Sequence, residues 1–373
     1  MVKMFAAPKT PKLNVSNAIT KIGLALAVNI ASWLALSCGN TDNAQAINIK
    51  STNNQLVKQG NVLSPSTRVN SLIANRSSSS FDGRISATLI DSRDRFWVGT
   101  WQGLLQLDPR TGRAIFSISL PNSTVTALLE DNRGYFWVGT TSGLYQISPN
   151  SGKIENIAIQ LSSSRILSLA MDRAGFIWVG TDQGITRISP YNAETYARMP
   201  NIPGTAANVM QIDHSGNIWV GTLDGLFKLN PGTAKITARI PFVSGQIVQA
   251  LAVDPSGKIW AGTPRNVIEI NPKTNKAIAR VNPVTGRDIV ALASDKTGEL
   301  WIGMRDGLVL ANTYNGEITS FINNLPNSSV LNLLISDREV WIGTSGGLGK
   351  INAKLKTSQI PNATATVVYT IQK

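Results

Sequence analysis

The chain has 373 residues, with 35 Lys plus Arg against 22 Asp plus Glu, for a net charge of +13. Apolar residues at 42% and nine Trp exclude a disordered chain, because they are ample material for a core. A single Cys and a single His exclude an intrachain disulfide, a multi-thiolate zinc or iron–sulfur site, a His-cluster metal site and any mechanism needing two imidazoles.

The amino end reads as an address. Lys3, Lys9, Lys12 and Lys21 are the only charges before Asp42, and an apolar run from 22 to 36 follows them. A basic stretch and then an apolar stretch is the layout of a bacterial-type secretory signal. The run is about 15 residues, short of the roughly 20 that a spanning helix needs. Two exits compete: Ala44-Gln45-Ala46 is an A-x-A cleavage site, and the residues from Leu34 to Gly39 resemble a lipoprotein box with Cys38 lipidated. Both place the mature chain outside the cytoplasmic membrane, periplasmic or secreted, with membrane contact only through a lipid anchor at Cys38. Loss of 1–46 removes four Lys and one Asp, so the charge falls from +13 to +10. Export argues against a nucleic-acid partner, and the remaining charge favours anionic glycans, acidic proteins or anionic surfaces.

Residues 47–80 are polar and turn-rich, ending in four Ser, and read as a linker with one short strand near 61–64. From 81 to 373 the chain repeats. Trp recurs at 97, 137, 178, 219, 260, 301 and 341, with spacings of 40 or 41, the period of a propeller blade. In one unit, β-forming runs at 125–130, 135–140, 143–147 and 153–159 are separated by Asp, Asn, Gly, Ser and Pro turns, with no helical periodicity. Four antiparallel strands repeated seven times predict an all-β, seven-bladed β-propeller. All four strands of the first unit keep the register, so the strand at 366–371 is expected as an extra outer strand beside 61–70.

The repeated residues have physical reasons. Gly stands two past every Trp, leaving room for a bulky side chain of the next blade. Six past the Trp is Gly in six units and Asn266 in the other, which predicts a positive φ there. Six before the Trp is Asp in six units; in the last, where the hairpin is one residue shorter, Ser336 replaces it, and Asp or Ser accepts the following turn amides. The regular Trp are expected between blades and not as a ligand platform. The Asp-x-x-Gly turns lack the alternating carboxylates of a calcium loop. No metal or cofactor is expected.

The motif L-x-x-D-x-x-G-x-x-W-V-G-T-x-x-G-L-x-x-I-x-P, read at 128–149, resembles the two-component regulator propeller repeat. That repeat builds the periplasmic ligand-binding sensor domains of bacterial hybrid histidine kinases. The resemblance covers 81 to about 360 and implies extracytoplasmic recognition, often of oligosaccharides. No second propeller, β-sandwich or kinase pattern follows, so a stand-alone module without kinase output is expected. A weaker resemblance is to streptogramin-type lyases, which depend on an active-site His and magnesium. The one His, His214, falls in a turn at the opposite end of its blade from the rim loops, so lyase activity is not expected.

A ligand is expected where the loops leading into the innermost strands meet those joining second and third strands. Periodicity does not dictate these residues. Arg84, Arg165, Gln246, Arg287 and Asp288 lead into innermost strands, while Trp101, Asp182, Asp224, Arg265, Arg305 and Asp306 lie on the second-to-third loops. Five Arg on one rim suit carboxylate, sulfate or phosphate through their planar forks. Trp101, the one Trp of the repeats outside the register, suits stacking on a sugar or gripping a protein. The alternative is that the four Asp pair with these Arg as surface ion pairs. Blades 5 and 6 break the motif there, with Asn266 for Gly and Met304 for Thr. The expected function is an unidentified small-molecule or oligosaccharide ligand bound without catalysis; the alternative is a scaffold for an envelope protein.

Overall fold

The computed structural model describes residues 83–120, 122–158, 160–281, 284, 287–336, 339–352 and 366–370. The export signal with Cys38, the 47–80 linker, the strand near 61–64 and the pairing of 61–70 lie outside the described residues.

Seven four-stranded antiparallel sheets, each in chain order, follow one another around a ring. The blades span 87–119, 125–158, 166–199, 209–239, 250–281, 289–322 and 330–370. In blade 2 the strands are Val125–Glu130, Phe136–Thr140, Leu144–Ile147 and Ile154–Ala158, close to the sequence reading. The strand Thr366–Thr370 is not an extra outer strand. It pairs with Gly347–Asn352 as the fourth strand of blade 7, so among the described residues each blade is built from four strands consecutive in the chain.

The Trp positions explain how the blades stack. All seven register Trp are at most 1% exposed. Seven apolar clusters lie among the described residues, and each joins one blade's Trp to the residue preceding the next blade's Trp. Trp97 meets Phe136 edge-on at 5.0 Å, and Trp137 shares a cluster with Ile177. At the closing junction Trp341 of blade 7 stacks on Phe96 of blade 1 at 4.2 Å. The core is thus a ring of interfaces, and a lone blade leaves its Trp unburied.

Each Trp is also fixed by a polar bond. The indole Nε1 donates to Oδ2 of the Asp six residues earlier: 3.0 Å for Trp97 to Asp91, 2.9 Å for Trp178 to Asp172, and 2.9 Å for Trp219 to Asp213. Trp137, Trp260 and Trp301 repeat it with Asp131, Asp254 and Asp295. The other carboxylate oxygen accepts the turn amides, as Asp131 Oδ1 does from Arg133 and Tyr135. One side chain therefore shapes the hairpin and orients the aromatic that fills the next interface.

Gly139 shows why the position two past the Trp carries no side chain. A Cβ there would lie 2.6 Å from Ile166 Cγ2 of the next blade. The position six past the Trp departs from expectation at two units. Gly103, Gly184, Gly225, Gly307 and Gly347 have positive φ, but Gly143 and Asn266 do not. At Asn266 the turn is held instead by Thr263 Oγ1, which accepts the Arg265 and Asn266 amides.

The ring closes with the bonds used elsewhere in it. Ile85 N donates to Thr344 O at 3.1 Å, as Ala207 does to Thr181, Val248 to Thr222 and Ile289 to Thr263 at other junctions. Asn332 is fully buried; its Nδ2 donates to Ile85 O at 2.7 Å and its Oδ1 accepts from Thr88 Oγ1 at 2.9 Å. Lys350 Nζ reaches across to Pro109 O.

In blade 4 the carboxyl–indole pair makes stability pH-dependent. Burial pushes the Asp213 carboxyl up, but hydrogen bonds from the Trp219 indole, the Asn217 side chain and the 217 and 215 amides outweigh it and hold it below the usual range. A depressed folded value means the contribution is present above the unfolded value near 3.8 and is lost as pH falls through the folded one. Asp213→Asn is expected to lower the denaturant midpoint at pH 7. Its deficit against the parent should shrink in progressively more acid buffer, as equilibrium unfolding at several pH values will read.

Candidate functional site

The rim is built by the residue that ends each second strand. Thr100 Oγ1 donates to Gly103 O at 3.1 Å and accepts the Gln102 amide at 3.2 Å, closing a hairpin that holds Trp101 and Gln102 outward. Thr140, Thr181, Thr222, Thr263 and Thr344 make the same carbonyl bond. Blade 6 has Met304 in this place, with no hydroxyl to offer. Its hairpin residues Arg305 and Asp306 are held instead by two crossed ion pairs to the lead-in of the same blade. Arg287 donates to Asp306 Oδ2 from Nε at 3.0 Å and Nη2 at 2.7 Å, and Arg305 Nε pairs with Asp288.

This pairing divides the expected Arg-rich rim. Arg287, Asp288, Arg305 and Asp306 form one compact group on blade 6, and the Asp288 amide donates to Pro264 O, bringing the Arg265 loop alongside. Arg265 is exposed beside that group, leaving one positive charge over balance among these five. Arg84 and the 44%-exposed Trp101 belong to blade 1, and Arg165, half-buried, to blade 3. The five Arg therefore fall on blades 1, 3, 5 and 6, and two of the three on blades 5 and 6 are held in ion pairs.

The other expected residues are partly taken up by local structure. Asp224 Oδ1 accepts the Gly245 amide at 2.9 Å, and Gln246 Nε2 donates to Phe242 O at 3.1 Å. Asp182 is half-buried, and its Oδ1 is shut from solvent without a partner among the described residues. Sequence reasoning missed Phe242, which is 52% exposed near Ile247 at 37% on the lead-in to blade 5. The signal available was Pro241, which opens the short 3-10 turn Pro241–Val243 and turns Phe242 outward.

His214 lies on the opposite face, in the Asp213 turn. It is exposed, and its carbonyl accepts from Arg173. The carboxyl of Glu299, raised chiefly by burial and further by the charge of Asp295 against a lowering bond from Thr319, also opens the second strand of blade 6 far from the rim. No group of three or more His, Cys, Asp or Glu able to hold a metal occurs among the described residues.

With this geometry in place, the comparisons are informative. The family model described as two component regulator propeller matches residues 119–142 and 160–183, each spanning a lead-in, two strands and the Thr-closed hairpin. The chain carries two-component regulator propeller repeats. No curated protein matches the sequence. Similar solved structures include a streptogramin B lyase at 16% identity, covering 74% of this chain and 95% of that one with a TM-score of 0.63. An inactive virginiamycin B lyase from Staphylococcus aureus with quinupristin shares 13% identity over 75% and 98%, at 0.63. The computationally designed Ika8 protein shares 17% over 74% and 85%, at 0.59. At these identities the likeness is one of fold.

The repeat also clarifies which rim residues its architecture uses. In this regulator-type propeller the blade 6 ion pairs replace a hydroxyl clamp, and exposed pairs of this sort are worth about 0–1 kcal/mol. Asp306→Ala is expected to cost no more than about 1 kcal/mol in equilibrium unfolding. In a Met304→Thr background, where the hydroxyl clamp is restored, the cost should be smaller still. An equal or larger cost there would contradict the replacement.

Proposed function

We propose that this propeller is an exported, non-catalytic recognition module that takes an anionic or carbohydrate ligand on its rim. The observation that carries the reading is the contrast between two kinds of Trp. The register Trp are buried, six of them bonded to Asp, whereas Trp101 stands 44% exposed on a rim with Arg84 and Arg265 exposed. An indole face stacks on the apolar face of a sugar ring, and unpaired guanidinium groups select acidic substituents. Binding is favoured over cleavage because Asp288 and Asp306 are tied to Arg and Asp224 to an amide. The lyase likeness contributes a fold, and His214 sits on the wrong face for rim chemistry. The regulator repeats agree with an extracytoplasmic sensor-type role, matching the export signal read in the sequence.

A second reading rests on a separate surface. Ile154, Ile157, Tyr191 and Tyr196 are exposed on the outer parts of blades 2 and 3, Tyr191 at 72%. Such groups suit a scaffold for an envelope protein.

A thermal-shift screen of the purified protein with neutral, uronic and sulfated oligosaccharides tests the first reading. The expected result is a shift with acidic sugars, weakened by moderate salt and lost in Trp101→Ala and Arg265→Ala. No shift with any sugar, or a shift that both variants keep, would remove the rim as a glycan site and leave the scaffold as the better reading.

A further inference from the structure

Nine residues past each Trp, directly across the ladder from it, the third strand carries Gln106, Gln146, Arg187, Lys228, Glu269, Leu310 or Lys350. At three junctions this side chain bridges to the next blade by donating to a Pro carbonyl in its third-to-fourth turn. Gln146 Nε2 reaches Pro190 O at 2.8 Å, Lys228 Nζ reaches Pro272 O at 2.8 Å, and Lys350 Nζ reaches Pro109 O at 2.9 Å. The corresponding bridge from blade 3 to blade 4 would run from Arg187 to Pro231 O, and it is not made. Arg187 folds back so that Nη2 pairs with Asp172 Oδ2 at 2.7 Å. Between the two blades, on the face away from the rim, a cavity of about 260 Å³ remains, lined by both Arg187 and Pro231.

The chemistry of this cavity is uneven. Arg187 is only 7% exposed, its guanidinium lies 3.9 Å from the Phe176 ring centre and 5.2 Å from that of Tyr196, and its Nε is buried with no partner. Buried guanidinium donors are rarely left unmatched. The neighbouring acceptors are occupied: Asp172 takes the Trp178 indole, Arg187 and two turn amides, and Asn230 Oδ1 takes the Thr233 amide. Arg173 also lines the space, its Nη2 donating to the His214 carbonyl. Ser215, Asn217, Asn230 and Pro231 line the same space, residue types that can bond a partner's hydroxyl groups.

We propose that this cavity binds a small hydroxylated carboxylate, its acid group held by Arg187 and its hydroxyls by the Pro231 side. The site is separate from the rim and stands whether or not the rim binds glycan. Blades 2, 4 and 7 supply the tests: Arg187→Gln and Arg187→Lys each copy a side chain that bridges to the Pro carbonyl elsewhere in the ring. Either variant is expected to fold, close the bridge and fill the cavity.

The experiment titrates sodium glucuronate into the purified protein at constant ionic strength. NMR follows the Arg187 Nε–H signal, the amides of 215–217, 230 and 232, and the Trp101 indole. Glucose and acetate serve as probes lacking the acid or the hydroxyls. The expected result is a saturable shift of the 187, 215–217, 230 and 232 signals with glucuronate, weaker by tenfold or more with either control. Both Arg187 variants should lose it while keeping the parent's thermal midpoint within a few degrees. If these signals stay still, if only the Trp101 signal moves, or if Arg187→Gln binds glucuronate as the parent does, the proposal is overturned. Should Arg187→Gln unfold, Arg187→Lys decides between the same outcomes.

Discussion

The bond from each register Trp to the Asp six residues before it is the interaction on which the rest depends. An indole in a dry interface needs a partner for its N–H, and a hairpin of four residues needs its amides satisfied. A single carboxylate does both in six of the seven blades. The Trp so oriented fills the contact with the following blade, where a Gly in place of a side chain admits the neighbour's innermost strand. Removing one element strands the others: without the Asp the indole is a buried orphan, and without the Gly the blades cannot approach. Repetition of this unit makes the ring a sum of near-equivalent junctions.

That equivalence extends to the junction where the chain's two ends meet. Among the described residues, blades 1 and 7 each keep four strands consecutive in the chain. Closure rests on a backbone bond common to other junctions, on the Phe96–Trp341 stack and on Asn332. Asn332 occupies a place in the innermost strand where other blades carry Ala, Ser or Val. Its amide supplies both a donor and an acceptor to blade 1, a polar clasp at a position where Ser168 of blade 3 makes a single bond to the next blade, Oγ to Ala207 O at 2.8 Å.

The blades were legible because the Trp period, the flanking Gly and the turn residues repeat locally in sequence. The role of Asp213 and its counterparts as turn acceptors followed from their place before Gly. Their bond to the Trp did not, because a strand pairing brings the two together only in three dimensions. Asn266 misled for a related reason: its tolerance of positive φ is a permission, and here the Asn266 amide bonds to Thr263 Oγ1 without using it. The rim was legible as a list of positions, since loops escape the period. Which Arg would be neutralised was not, because it turned on the missing hydroxyl at Met304, a cause two residues from its effect. Arg187 escaped notice since a lone basic residue within a strand resembles any exposed strand position until the same place is compared across all seven blades.

The architecture and the proposed recognition surface share one premise, that the fold occupies the register Trp and leaves Trp101 for ligand. Hydrogen exchange at the indole nitrogens, read by NMR with Trp101→Phe to assign that signal, tests this most directly. The six Asp-bonded indoles should exchange slowly and stay still when an acidic oligosaccharide is added, while Trp101 exchanges fast and shifts. A register indole that exchanges as readily as Trp101, or that moves with ligand in its place, would contradict the account.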